Sequence, residues 1–166
     1  MMSMAQAFLP EFDYEMANTR RTLERVPEDK LDFTPHEKSK SLIWLANHIA
    51  TIPEWAPLII DCDAIDLAAM PPRPPLPATR EQLLGVFDAA ARRAREKLAG
   101  ASDERLLKPW RLHMGEREII NMPRAAVYRS MVMNHLIHHR GQLTVFFRLN
   151  NVPLPALYGP SADEQP

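Results

Sequence analysis

Residues 123–150 read PRAAVYRSMVMNHLIHHRGQLTVFFRLN, and this stretch decides both the fold class and the place to look for chemistry. Proline is well suited to the first turn of a helix, where its missing N–H costs nothing. Asn150, Asn151 and Pro153 supply a stop. One long helix is therefore predicted from Pro123 to about Asn150. On an ideal wheel Tyr128, Met131, Val132, Phe146 and Leu149 fall within about 60° of His135, so His135 sits at the centre of an apolar stripe. His139 lies about 40° to one side and Gln142 about 20° to the other. Ser130, Arg140, Thr144, Arg148 and Asn151 take the opposite, solvent-facing side, with Met133 and Ile137 as apolar exceptions. Polar, titratable rings thus occupy the face expected to be driest, a placement that needs compensation.

Working outward, three more helices emerge. From about Ser3 to Val26, Phe8, Phe12, Met16, Thr19, Leu23 and Val26 recur at steps of three and four, with Pro10 marking a first turn or a kink. The segment 27–41, PEDKLDFTPHEKSKS, has turn chemistry and no sustained period. Ser41 then offers an N-cap for a helix from Leu42 towards Ile60, which Pro53 should bend or split. Residues 70–77, MPPRPPLP, cannot form regular helix or interior strand and read as an extended crossover. Thr79 with Gln82 forms a capping-box signal, and Leu83, Leu84, Phe87, Ala90, Ala91, Ala94 and Leu98 make a helix that ends near Gly100. Between Lys108 and Met122 the chain partly alternates around Met114-Gly115, which permits a small β-hairpin. The expected fold is all-α: a four-helix bundle with a long crossover, in one domain spanning residues 1–166. The tail after Pro153 is expected to pack along the bundle or fray.

Composition excludes several functions. A formal net charge of -1 gives no field to gather nucleic acid or an anionic membrane. The richest apolar run, from Leu42 to Ile60, is interrupted by Asn47, His48, Pro53 and Glu54, so no membrane span is expected. Cys62 is the only cysteine and can form no internal disulfide. The opening MMSMAQAFLPEFDYEM carries acids where a secretion signal needs a basic flank. A soluble chain in a reducing, cytoplasmic compartment is the expectation.

The histidines carry the chemistry. His135 and His139 stand four residues apart, so their imidazoles project from successive turns to one side and can reach a single divalent cation. His48, flanked by Trp44, Leu45 and Ile52 on the core face of the second helix, can approach them across a bundle. Three neutral imidazoles suit zinc, nickel or another borderline metal and leave a coordination position for water or substrate. A modest rotation of the last helix would bring in His138 instead of His139; the wheel favours His139. A lone buried histidine is more often a hydrogen-bonded core residue, and it is the set of three that shifts the balance. His36 and His113 lie outside the strong helices and are expected at the surface. Asn47 and Asn134, each preceding a proposed ligand, are candidates to support the site from behind. Thr51 and Glu54 neighbour His48 in sequence, but no catalytic role follows without geometry.

SLIWLANHIA at 41–50, NHLIHHRGQL at 134–143 and VPLPALYGPSADE at 152–164 together resemble the DinB-like, damage-inducible family of bacterial proteins. The resemblance spans nearly the whole chain; its specific part is one histidine on the second helix paired with H-x-x-x-H followed by RGQL on the last. It implies up-down-down-up connectivity, a homodimer, and a metal held by His48, His135 and His139. Relatives in the wider superfamily are thiol-dependent S-transferases and isomerases that use mycothiol, bacillithiol or glutathione. This implies a divalent-metal-dependent enzyme with a low-molecular-weight thiol cosubstrate and a small-molecule substrate. A metal-dependent hydrolase and a non-catalytic metal-binding or stress-response protein are the alternatives. No thiol-cofactor motif is visible in the sequence itself.

Overall fold

Ser3 opens the first helix with a complete capping box: its hydroxyl accepts from the Gln6 amide (3.2 Å) while the Gln6 side-chain oxygen accepts from the Ser3 amide (2.9 Å). The structure is a computed structural model and describes residues 2–165; Met1 and Pro166, the ends of the expected domain, lie outside the described residues. Helix α1 (Met4–Leu23) runs through Pro10 without ending. Ser41 caps α2 (Leu42–Thr51), and Pro53 then tightens the chain into a short 3₁₀ turn (Ile52–Glu54) before α3 (Trp55–Asp61). The split expected at Pro53 is therefore present. Thr79 caps α4 (Arg80–Ala99), which stops at Gly100, and a short α5 (Asp103–Leu107) follows.

The sheet corrects the all-α expectation. Strands β2 (Pro109–Met114) and β3 (Arg117–Pro123) form the antiparallel hairpin that the sequence permitted, closed by a two-residue turn at Gly115. Gly115 has φ 58°, a left-handed conformation that glycine adopts without steric cost. A third strand, β1 (Ala64–Asp66), lies parallel to β2 on its other side, giving the order β1-β2-β3. A parallel pair needs a long connection, and the extended proline-rich stretch with α4 and α5 supplies it. Asp66 ties this strand to the hairpin by accepting from the Gly115 amide (3.0 Å). Arg124, fully buried, donates to the carbonyls of Cys62, Lys108 and Pro109 and to the Asp63 carboxylate, so it pins the sheet to the start of the last helix.

That helix is continuous but not uniform. It begins as α6 (Arg124–Val127), widens into a π-helical segment (Tyr128–Asn134), and resumes as α7 (His135–Leu149). Buried Tyr128, Val132, Leu136 and Arg140 are spaced by four, a step that drifts about 40° per turn on an α-helix. The wider π turn absorbs this drift and keeps all four on one face. The buried face of α7 is therefore Leu136, Arg140, Leu143 and Phe147, and His135 and His139 sit on its flank. The expectation of a stripe centred on His135 is corrected: Leu149 is exposed, while Arg140, expected in water, is 1% exposed.

Helix α4 packs against α1, α2 and α3, and α2 also packs along α7. Phe12, Leu45, Ile49, Phe87, Leu136 and Phe147 belong to the shared core. Trp110 on β2 enters the same core fully buried, its indole N–H donating to the Leu58 carbonyl (3.2 Å). The tail packs instead of fraying: Ala156 is buried, and Arg21 of α1 and Arg25 just beyond its end pair with Glu164. No helix among the described residues is long and apolar enough to cross a membrane.

Candidate metal centre

The packing of α2 along α7 brings His48, His135 and His139 together, one ring nitrogen of each lying within 4.8 Å of the others. His48 Nε2 and His135 Nε2 are 3.2 Å apart. Bonds of about 2.0–2.1 Å at tetrahedral angles would separate two nitrogens on one zinc by about 3.3 Å. The donor set fits a borderline divalent ion: all three groups are imidazoles, from two helices, and each is half-buried. His138 is not in the group; it is exposed on the outer side of α7.

Two of the rings are held by bonds at their far nitrogens. His135 Nδ1 lies 3.3 Å from the Met131 carbonyl, which can only accept, so the proton is on Nδ1 and the Nε2 lone pair is free to point inward. His139 Nδ1 donates to the Gln142 side-chain oxygen at 2.7 Å with the same consequence. His48 is steadied differently, by Trp44, whose ring stacks on it at 5.2 Å and 23°. Lys40 Nζ lies 5.8 Å from the centre of that indole on α2.

The electrostatics favour the neutral form of His48 and His135. Burial lowers the pKa of His48 to about 4, helped by the neighbouring His139, His135 and Arg73. Burial also lowers that of His135, with His139 next in effect, against the raising influence of the Met131 bond. Near pH 7 both therefore present lone pairs, the state a metal ligand needs. A groove of about 360 Å³ opens beside His139, lined by Ser39, Lys40, Trp44, Leu45, Gln142, Val145 and Phe146.

A family model described as the DinB superfamily matches residues 11–143. The chain belongs to the DinB superfamily. Solved structures of DinB-like proteins share the fold. One, from Bacillus cereus ATCC 10987, is 21% identical with a TM-score of 0.72, covering 95% of this chain and 100% of that one. Another, from Bacillus subtilis, is 20% identical with a TM-score of 0.66, covering 90% and 96%. A search of curated proteins finds no significant match.

In this DinB-superfamily chain the structure brings together the three histidines singled out from sequence, and His138 packs against His139 from outside that group. His36 lies in the exposed loop before α2, and His113 sits half-buried in β2 of the hairpin. Asn47 and Asn134 do not serve the rings; Gln142 and the Met131 carbonyl do. Gln142 was legible in principle, three residues beyond His139 on the same helix. Lys40 and Arg73 had no such signal, because both lie outside the helices. Glu54 is bound to Arg93, and the Thr51 hydroxyl donates to the carbonyls of Asn47 and His48.

Proposed function

We propose that the protein is a divalent-metal-dependent enzyme in which His48, His135 and His139 hold zinc or nickel, and which resembles thiol-dependent S-transferases in using a low-molecular-weight thiol on a small-molecule substrate. The observation that carries this reading is the convergence of three inward-pointing imidazole nitrogens at the edge of an open groove. When bound, such an ion supplies Lewis acidity that lets a thiol or water on its open side lose a proton near neutral pH.

The chain's own residues have separate tasks. Gln142 and the Met131 carbonyl hold the imidazole protons at Nδ1, so the two rings are fixed in direction with Nε2 turned to the site. Trp44 closes one side of His48 against water. The groove lined by Leu45, Val145 and Phe146 gives an apolar body a place beside the reacting group. That groove favours an enzyme over a purely structural histidine cluster, which would need no access. Transfer of a thiol to an electrophile is preferred to hydrolysis because of the superfamily resemblance. The up-down-down-up connectivity, the homodimer and the cytoplasmic setting belong to the same proposal.

The test is a turnover screen. Zinc- and nickel-loaded protein is offered mycothiol, bacillithiol, glutathione or cysteine with a chromogenic electrophile, and metal-stripped protein serves as the control. Metal-dependent thioether formation with at least one thiol is expected, lost in His135→Ala. Hydrolysis of ester substrates with no thiol turnover would move the assignment to the hydrolase reading, and metal binding with neither activity would leave a non-catalytic binder.

A further inference from the structure

The groove beside His139 is chemically lopsided. Its lining is mostly apolar, from Trp44, Leu45, Val145 and Phe146, and it includes no carboxylate. Its one formal charge is Lys40, which has no carboxylate partner among the described residues. Most other cations of this chain are paired: Arg20, Arg93, Arg95, Lys97 and Lys108, for instance, each meet an acid. An unpaired ammonium resting near an indole at the mouth of an apolar groove is placed to meet an anion that arrives with its own apolar body. Arg73, in the proline-rich crossover, adds positive charge within electrostatic reach of His48.

The groove volume of about 360 Å³ suits a small molecule, within the roughly 300–1,000 Å³ usual for ligand sites. Val145, 58% exposed on the wall, leaves apolar surface for such a ligand to cover. Gln142 and His139 stand at the opposite lining from Lys40, on α7, so one end of the ligand would reach the histidines while the other stays with the ammonium.

We propose that this groove binds small amphipathic carboxylates, with the carboxylate at Lys40 and the apolar body between Trp44 and Phe146. The substrate of the site described above would then be an organic acid of this kind. This rests on the metal-site reading only for what happens at the ligand's far end; the binding itself needs no ion.

The test compares 3-phenylpropionate with its neutral amide by titration, followed through the side-chain NMR signals of the Trp44 indole and the Gln142 amide, on metal-free and zinc-loaded protein. The acid is expected to bind at least tenfold more tightly than the amide in both states. Lys40→Gln should cut this preference at least threefold and Lys40→Glu should abolish it, with the amide's affinity unchanged and circular dichroism confirming that both variants fold. A chain that refuses zinc yet keeps the preference removes the metal reading and leaves the groove assignment standing. Equal binding of acid and amide, a preference that survives Lys40→Glu, or absence of binding by either compound would overturn the proposal.

Discussion

His139 and Arg140 are neighbours in sequence, yet they serve two polar clusters of opposite character, one on the flank of α7 and one on its buried face. Arg140 is 1% exposed and fully engaged: it donates to the Glu15 carboxylate (2.7 Å), the Glu15 carbonyl (3.1 Å), the Thr19 hydroxyl (3.0 Å) and the Tyr158 hydroxyl (2.5 Å). Tyr158 in turn donates to Glu15 (2.8 Å), so the tail is fastened to α1 and α7 at one point. His139 belongs to a half-buried cluster with no carboxylate and with ring nitrogens facing one another. A polar cluster whose members satisfy each other serves architecture, whereas one whose lone pairs converge on a common point at an open groove is suited to hold something else.

The largest effect expected from this contrast is on the closed cluster. Arg140→Met leaves Glu15 buried without its partner and should cost about 3–5 kcal/mol of stability. Urea denaturation measures it, and adding Glu15→Leu should recover most of the loss. Zinc affinity of the folded fraction should be unchanged; a parallel loss of zinc binding would show the two clusters to be coupled.

Next in size is the support behind the open cluster. Gln142→Ala removes the acceptor that orients His139 and should weaken zinc binding about 10- to 100-fold while leaving the melting temperature of the metal-free protein within a few degrees. Undiminished affinity in competition with a chelator would mean that the Nδ1 bond is incidental.

A third effect is a pH dependence of the metal-free chain. The pKa of His48 is lowered from 6.5 to about 4 in the fold, so between these values the unfolded chain binds a proton that the native chain does not. Stability should fall as pH drops from 6.5 towards 4, and His48→Gln should flatten that part of the profile. An unchanged slope in His48→Gln would assign the dependence to other groups.

The comparison also shows which parts were legible in sequence. The caps at Ser3, Ser41 and Thr79 act locally, so their residues announce the helices they start. The i and i+4 spacing of His135 and His139 is likewise local and lies within a regular α-helix, so the pair could be read directly. The phase of the final helix could not, because the π turn from Tyr128 to Asn134 shifts the upstream residues relative to an ideal wheel. For that reason an ideal wheel puts Arg140 in water, and the network through Glu15 and Tyr158, more than a hundred residues apart, has no local signature at all. Strand β1 is three residues long and is defined only by pairing with β2 across the whole of α4. Lys40 and Arg73 come to the site from loops, where no periodicity constrains them.

Metal content per chain settles the central claim, that imidazoles from α2 and α7 share one ion. After zinc loading and dialysis, elemental analysis should find about one zinc per chain in the unaltered protein and in His138→Ala, and less than about a tenth of that in each of His48→Ala, His135→Ala and His139→Ala. Full zinc content in the last three variants, or its loss in His138→Ala alone, would contradict the account.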